Sequence, residues 1–419
     1  MAAEDEKISA LVEKTTLADT DLMAMVDIAA DPDETKKITG ANVKSQVLAG
    51  HKDLATGVHG VGSGTIGSVS TANKTIYVDK AASGGGTGVD WANAFTTIQA
   101  AVDSPEDIIL HAYTIKVRKG ATPYRETVYL NSNPAVNPAH VIKGSLTIEA
   151  EYYWQGDCEA NAGGAGEITD TGAFADVAIG DKVYLLDLNG AIGRAQGYEV
   201  CTVDSVANAP NRIGTDGSKT PSTGWKYTIV RTEMSGSDDG TDEGTARNSC
   251  FRLSGINNVS IYGFYFTYSN TSAINADSSS FTLSYCILSD CDCGILAILN
   301  SRLTAYHNYI HADALWSIWL DSGSLCNCRY NVLNGGSWFV LGLTFSHATY
   351  LRYTYIENGT PGVSADRLSG CYANYNTIAA SVATGLRASA NSWIAYTIST
   401  NSATAPVDPV GTSEGAYIV

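Results

Sequence analysis

The stretch FTYSNTSAINADSSSFTLSYCILSDCDCGILAILNSRLTAYHNYIHADALWSIWLDSGSLCNCRYNVL, residues 266–333, decides the fold. Stacked on Phe266, its apolar residues return every 22 positions at Leu288, Ile310 and Val332. The column then continues through Ile356, Ile378 and Ile398 at steps of 24, 22 and 20. A second column, eight positions later, runs Ile274, Leu296, Ile318 and Val340 and, past a polar Ser364, reaches Leu386. Val259, Phe281, Leu303 and Leu325 form a third. Three apolar columns per unit, separated by turn residues, describe a coil with three faces, each a parallel sheet stacking like side chains on like. The reading is an all-β chain built on a right-handed parallel β-helix over residues 249–400, with a C-terminal tail over 401–419.

Upstream, TIYVDKAASGGGTGVDWANAFTTIQAAVD (75–103) places a strand, a glycine-rich turn and one amphipathic helix in succession. Phe95, Ile98 and Val102 share a stripe of that helix, and a lone helix before a long stack suits a cap over the open end of the coil. Residues 75–156 are therefore the start of the β-helix. Residues 157–248 break the 22-residue pattern and read as a small β-rich insert, with strands at GDKVYLLDL, YEVCTVDSVA and WKYTIVRTEM. Residues 51–74 are a Gly/Ser-rich connector, and residues 1–50 form a unit too small to stand alone. In that unit a strand around 22–28 precedes a turn at DPDE and a helix capped by Thr39.

The balance of 43 acidic against 26 basic residues, a net charge of −17, excludes the clustered cations that nucleic acid demands. No apolar run is long enough to insert in a membrane, and MAAEDEKISALVEK is too acidic for a signal peptide, so synthesis in a cytoplasm is expected. The nine cysteines lack metal-ligand spacing and read as buried thiols, with one or two late disulfides left open. No cofactor is expected. The run SGSDDGTDEG offers Asp238, Asp239 and Asp242 as oxygen ligands for calcium, or is simply a solvated acidic loop.

Beside the second column both flanks are apolar. Ile295, Phe339 and Val363 lie on one side, Trp319 and Leu341 on the other, so this face packs against another chain as a homotrimer, unless the insert or tail covers it. Before the first column stand Tyr265, Tyr285, Tyr309, Tyr353, Tyr355 and Tyr375, with His307 and Arg329 22 residues apart. Stacked tyrosines stabilise a ladder, or take sugar rings by stacking and hydroxyl contacts. For glycan cleavage, which needs a carboxylate pair, the candidates are Asp290, Asp292, Asp313 and Glu357. Asp292 and Asp313 lie about one rung apart, although Asp at these places also serves as an ordinary turn former.

The IYVD…GGG…WANAFTTIQAAVD start resembles pectate-lyase-like β-helix proteins, especially bacteriophage tailspikes and tail fibres. LADTDLMAMVDIAADPDETKKIT is similar to the N-terminal virion-attachment regions of phage tail and appendage proteins. The resemblance implies a trimeric appendage of the virion tail or collar, joined to other virion proteins through residues 1–50 and presenting its β-helix to host surface glycan. An enzyme that depolymerises that glycan is the alternative. A bacterial surface adhesin is a third reading, which the missing signal peptide opposes.

Overall fold

The computed structural model describes residues 22–26, 35–39, 69–131, 140–159, 164–188, 197–207, 209, 211–237, 249–335, 340–358, 361–374, 376–379, 384–389, 391–397, 400–401, 405–409 and 417–418. Two units are separated at Ser68. In the first, the strands Leu22–Val26 and Thr35–Thr39 pair as an antiparallel hairpin. The helix expected after Thr39 lies outside the described residues, as do Asp238, Asp239, Asp242, Phe339, Tyr375 and Ile398.

In the second unit the chain winds through three parallel sheets. Among the described residues, eight strands run from Thr232–Ser235 to Thr400–Asn401, nine from Val128–Asn131 to Ala405–Pro409, and eleven from Lys74–Val78 to Tyr417–Ile418. The all-β, parallel β-helix reading is the fold observed. All three inner faces feed one continuous apolar core. In the eight-stranded sheet the inward column is Phe266, Leu288, Ile310, Leu333, Ile356 and Ile378, and Asn401 stands opposite Ile378. In the nine-stranded sheet it is Ile274, Ile295, Ile318, Leu341, Val363 and Leu386. In the eleven-stranded sheet Leu303 is followed by Cys326, not Leu325.

The expected columns are therefore correct at some rungs and one residue out at others. Val332, Leu296, Val340, Ser364 and Leu325 each sit next to the true inward residue, because the step from rung to rung varies between 21 and 23 residues. Where two apolar residues are adjacent, as in Val332-Leu333 or Ile295-Leu296, a one-residue slip leaves the hydrophobic pattern intact, although it turns a strand over. Ile295, Leu341 and Val363 consequently belong to the fully buried core and cannot face a neighbouring chain. Trp319 does point outward, with its ring stacked 4.1 Å from Trp316.

Polar ladders at the turns hold the rungs in register. The N–H of Ser279, Ser301, Ser324, Ser346 and Ser369 each donates to the hydroxyl of the serine one rung on, ending at Ser392. At another corner the N–H of Cys286 donates to Asn308 Oδ1 and that of Asn308 to Asn331 Oδ1, while Asn308 and Asn331 donate to the carbonyls of Leu283 and Ala305. Every such bond satisfies a buried backbone group that would otherwise cost about 1–3 kcal/mol.

The helix, α1 (Ile98–Asp103), starts after the Phe95 that the stripe placed on it, because Phe95 bridges to Val78 as a strand residue. Thr97 caps it, and the Glu126 carboxylate accepts the N–H groups of Ile98 and Gln99. Ile98, Ala101 and Val102 join the continuous core.

The insert is a six-stranded antiparallel sheet that starts at Tyr153 and ends at Val230; Thr232–Ser235 already belongs to the parallel solenoid. Its strand Lys182–Asp187 is buried on both sides. Val183 and Leu185 enter the insert's own core. Tyr184 and Leu186 pack with Val230 against Ile287, Tyr309 and Val332 on the outer face of the eight-stranded sheet.

Candidate functional site

The insert thus lies on the tyrosine face, not beside the second column. Tyr309 is only 7% exposed, and burial pushes its hydroxyl pKa up to about 12. Tyr265 hydrogen-bonds Ser289 and lies beneath Lys182, and Tyr355 packs on Tyr198 of the insert. Tyr265 and Tyr309 therefore work as the joint between two sheets, which removes them as an open sugar surface.

One corner of that face remains accessible. Tyr285, His307, Tyr330 and Tyr353 occupy equivalent turn positions, all with φ between 52° and 56°. Such left-handed conformations are costly for bulky residues and persist only where neighbours over-determine them. Here the Asn308 and Asn331 ladder follows directly in the chain, and the rings stack on one another. Tyr285–His307, His307–Tyr330 and Tyr330–Tyr353 centroids are 5.5, 4.9 and 4.8 Å apart, with planes within 11° of parallel. The first member of this column is Gly263, where a Cβ would sit 2.6 Å from the Tyr153 ring. Lacking a side chain, Gly263 lets Tyr153 take its place at the foot of the stack, 6.0 Å from Tyr285.

Between this stack and the insert opens a cleft of about 680 Å³, lined among others by Asp157, Glu159, Asp170, Lys226, Tyr306 and His307. Lys226 pairs with Asp157. Tyr227 donates to Asp170 Oδ2 at 2.6 Å, and Thr171 to Glu159 Oε2 at 2.8 Å. Burial, aided by the Lys226 charge, lowers the His307 pKa to about 4. The imidazole is thus neutral at pH 7 and offers a flat ring edge with one donor and one acceptor. The cleft combines flat rings, hydroxyls and carboxylates, the groups that grip a hydroxyl-rich ring by its face and its rim.

Beyond the cleft, the eleven-stranded sheet turns its outer face to solvent. Tyr306, Arg329 and Arg352 are successive cross-strand partners there, so Arg329 is in register with Tyr306 and not with His307. Tyr350 is 37% and Tyr372 48% exposed. Trp393 stands 4.8 Å from Tyr372 and rests on Gly370, whose missing Cβ leaves room for the ring.

The carboxylates suggested by sequence lie elsewhere. Asp292 and Asp313 do occupy adjacent rungs, their N–H groups donating to Ser269 and Cys291 carbonyls, and Asp313 pairs with His311 at 2.9 Å. Asp290 is a left-handed turn residue that accepts from Ser289. Glu357 is hydrogen-bonded to Tyr198 at the insert joint. None of the four lines the cleft. All nine cysteines are buried free thiols, and no metal-ligating cluster occurs among the described residues.

Sequence reading passed over Tyr306, Tyr330, Arg352, Tyr372 and the insert's carboxylates. The signal for the stack was present: an aromatic ring directly before Cys286, Asn308, Asn331 and Thr354, at steps of 22 and 23.

No family model matches the chain, and no curated protein matches it. Solved structures similar to it include XylC in complex with xylose, at 14% identity and TM-score 0.37, covering 77% of this chain and 68% of that one. The tailspike protein gp49 of Pseudomonas phage LKA1 matches at 11% identity and TM-score 0.27 (74% and 57% covered). The tailspike gp61 of Pseudomonas phage phi297 matches at 13% and 0.20 (79% and 67% covered). At these identities the likeness is one of fold, and it carries no argument about the site.

Proposed function

We propose that this chain is a glycan-binding appendage of a bacteriophage virion, a tail fibre, tailspike or collar fibre that attaches to host surface saccharide. The observation that carries the reading is the cleft between insert and solenoid, walled on the solenoid side by Tyr306 and by Tyr285 and His307, two rings of a stack that continues through Tyr330 and Tyr353. Rings held at rung spacing by a strained backbone form a rigid platform for sugar faces, and rigidity reduces the ordering cost of binding. In this reading residues 1–50 hold the chain to other virion proteins. A homotrimer forms through the outer face of the nine-stranded sheet, where Leu296, Ile298 and Trp319 point outward.

The test is binding of purified full chain to immobilised bacterial envelope polysaccharides, beside Tyr285→Ala and Tyr306→Ala, with mass in solution measured for each. Retention lost in both variants, from a particle of three chains, supports the reading; indifference to both removes the cleft from it. Trp319→Asp is expected to yield single chains.

Cleavage of the bound glycan is a second reading, favoured by Asp157, Glu159 and Asp170 lining the same cleft. Release of reducing ends that disappears in Asp157→Asn/Glu159→Gln would establish it.

A further inference from the structure

The outer face of the eleven-stranded sheet holds two arginines side by side. Several cations elsewhere pair with carboxylates: Lys116 with Glu149, Arg118 with Asp79 and Glu151, Arg212 with Glu167, Arg231 with Asp181. Matching is expected in a chain with a net charge of −17, where a carboxylate is rarely far away. Arg329 and Arg352 instead bring two cations together. They are direct cross-strand partners, one rung apart, and among the described residues no carboxylate pairs with either. Like charges placed opposite each other in a sheet repel.

Their shared neighbour is an aromatic ring. Tyr350 lies 5.2 Å from the Arg329 guanidinium and 4.7 Å from that of Arg352. The pairing of these strands slips between Cys326 and Asn327, so that Tyr350, and not Thr349, stands opposite Asn327. Bulges of this kind re-aim side chains and recur beside sites. Arg329 retains one internal partner, Asn327 Oδ1 at 3.2 Å. The Nε of Arg352 is buried and has no hydrogen-bond partner among the described residues. A buried guanidinium donor left unmade is a cost that the fold carries at this place. Tyr306 continues the same column toward the cleft, and Tyr372 extends the aromatic surface away from it.

We infer that Arg329 and Arg352, clamped about Tyr350, form a subsite for the acid group of an anionic saccharide whose chain runs from the cleft along the eleven-stranded sheet. This inference rests on the glycan-binding reading and specifies the class of glycan. Paired guanidinium forks suit a planar carboxylate or a phosphate, and the exposed tyrosines suit the sugar rings on either side. The chain's overall negative charge would repel an acidic polymer approaching anywhere else, so the strip also selects the place of contact.

The experiment measures binding of the full chain to a panel of acidic and neutral bacterial polysaccharides. Acidic binders are then repeated after carboxyl reduction and, separately, after dephosphorylation. Binding is expected to be confined to acidic members, to weaken as salt rises, and to fall at least about tenfold in Arg329→Gln/Arg352→Gln. Arg329→Lys/Arg352→Lys, which keeps the charge, is expected to retain part of it, and matching melting curves exclude misfolding as the cause. Loss on carboxyl reduction identifies a uronate-type acid, and loss on dephosphorylation a phosphate; either supports the subsite. Binding that survives both treatments, or ignores the glutamine variant, overturns the inference. Binding only to neutral glycans, lost in Tyr285→Ala, overturns it while leaving the cleft reading intact. No binding to any member removes both.

Discussion

Two outer faces of the solenoid carry tyrosine, and they meet opposite fates. On the eight-stranded sheet Tyr265, Tyr309 and Tyr355 are roofed by the insert and become packing material. On the eleven-stranded sheet Tyr350 and Tyr372 stay open beside unpaired arginines. Composition along a strand does not decide between glue and contact surface. What decides is which distant segment folds back over the face, and here that segment is the strand with two buried sides, Lys182–Asp187.

The largest way to break this contrast is to lift the roof. Leu186→Asp would bury an unpaired charge between insert and solenoid, at a cost of about 4 kcal/mol. Hydrogen exchange should then show protection lost at 182–187 and 226–230 while the solenoid strands keep theirs. Collapse of both together would mean that the two layers are one cooperative unit.

A smaller effect is expected at the corner under the ring stack. Asn331→Ala removes the acceptor for the Asn308 N–H and the donor to the Ala305 carbonyl, costing roughly 2–3 kcal/mol in urea unfolding. Ser324→Ala removes the acceptor for the Ser301 N–H and the donor to the Asp321 carbonyl, but not the further bond that Asn331 Oδ1 accepts from Asn308 Nδ2, and should cost about 1–2 kcal/mol. Equal costs would show that the stacked rings contribute nothing to holding their corner.

His307 tests the cleft by pH. Its folded pKa is depressed, so between about 6.5 and about 4 the unfolded chain binds more protons at this site. Its contribution is present above pH 6.5 and is lost as pH falls through that window. In His307→Phe the acid-side loss of stability should be shallower over the same range. An unchanged slope would place the ring in contact with water. The smallest effect belongs to the open face: Tyr372→Ala should change stability by no more than about 0.5 kcal/mol.

Much of the fold was legible because a stack repeats itself. Phe266, Leu288 and Ile310 align both in the sequence and in the sheet. Register failed where apolar residues are doubled, at Val332-Leu333 and Ile295-Leu296, since either member satisfies the local pattern. That single slip turned the core residues Ile295, Leu341 and Val363 into interface candidates. The insert was recognisable as β-structure, but its docking on Tyr309 joins residues more than a hundred positions apart, and no local spacing encodes that. For the same reason the carboxylates of the cleft could not be gathered from Asp157, Glu159 and Asp170 with His307. Arg329 was picked out by its position in the repeat, whereas Arg352 and Tyr350 lie around a bulge that shifts them out of phase.

The serine ladder gives each rung from Ser279 to Ser392 the same hydroxyl to present to the next. A duplication or deletion of one whole rung would leave that ladder unbroken, whereas loss of a few residues would sever it at that level. Length in such a molecule is therefore a quantity that evolution can change in whole steps, as beads on a string, without redrawing the surface on which recognition depends.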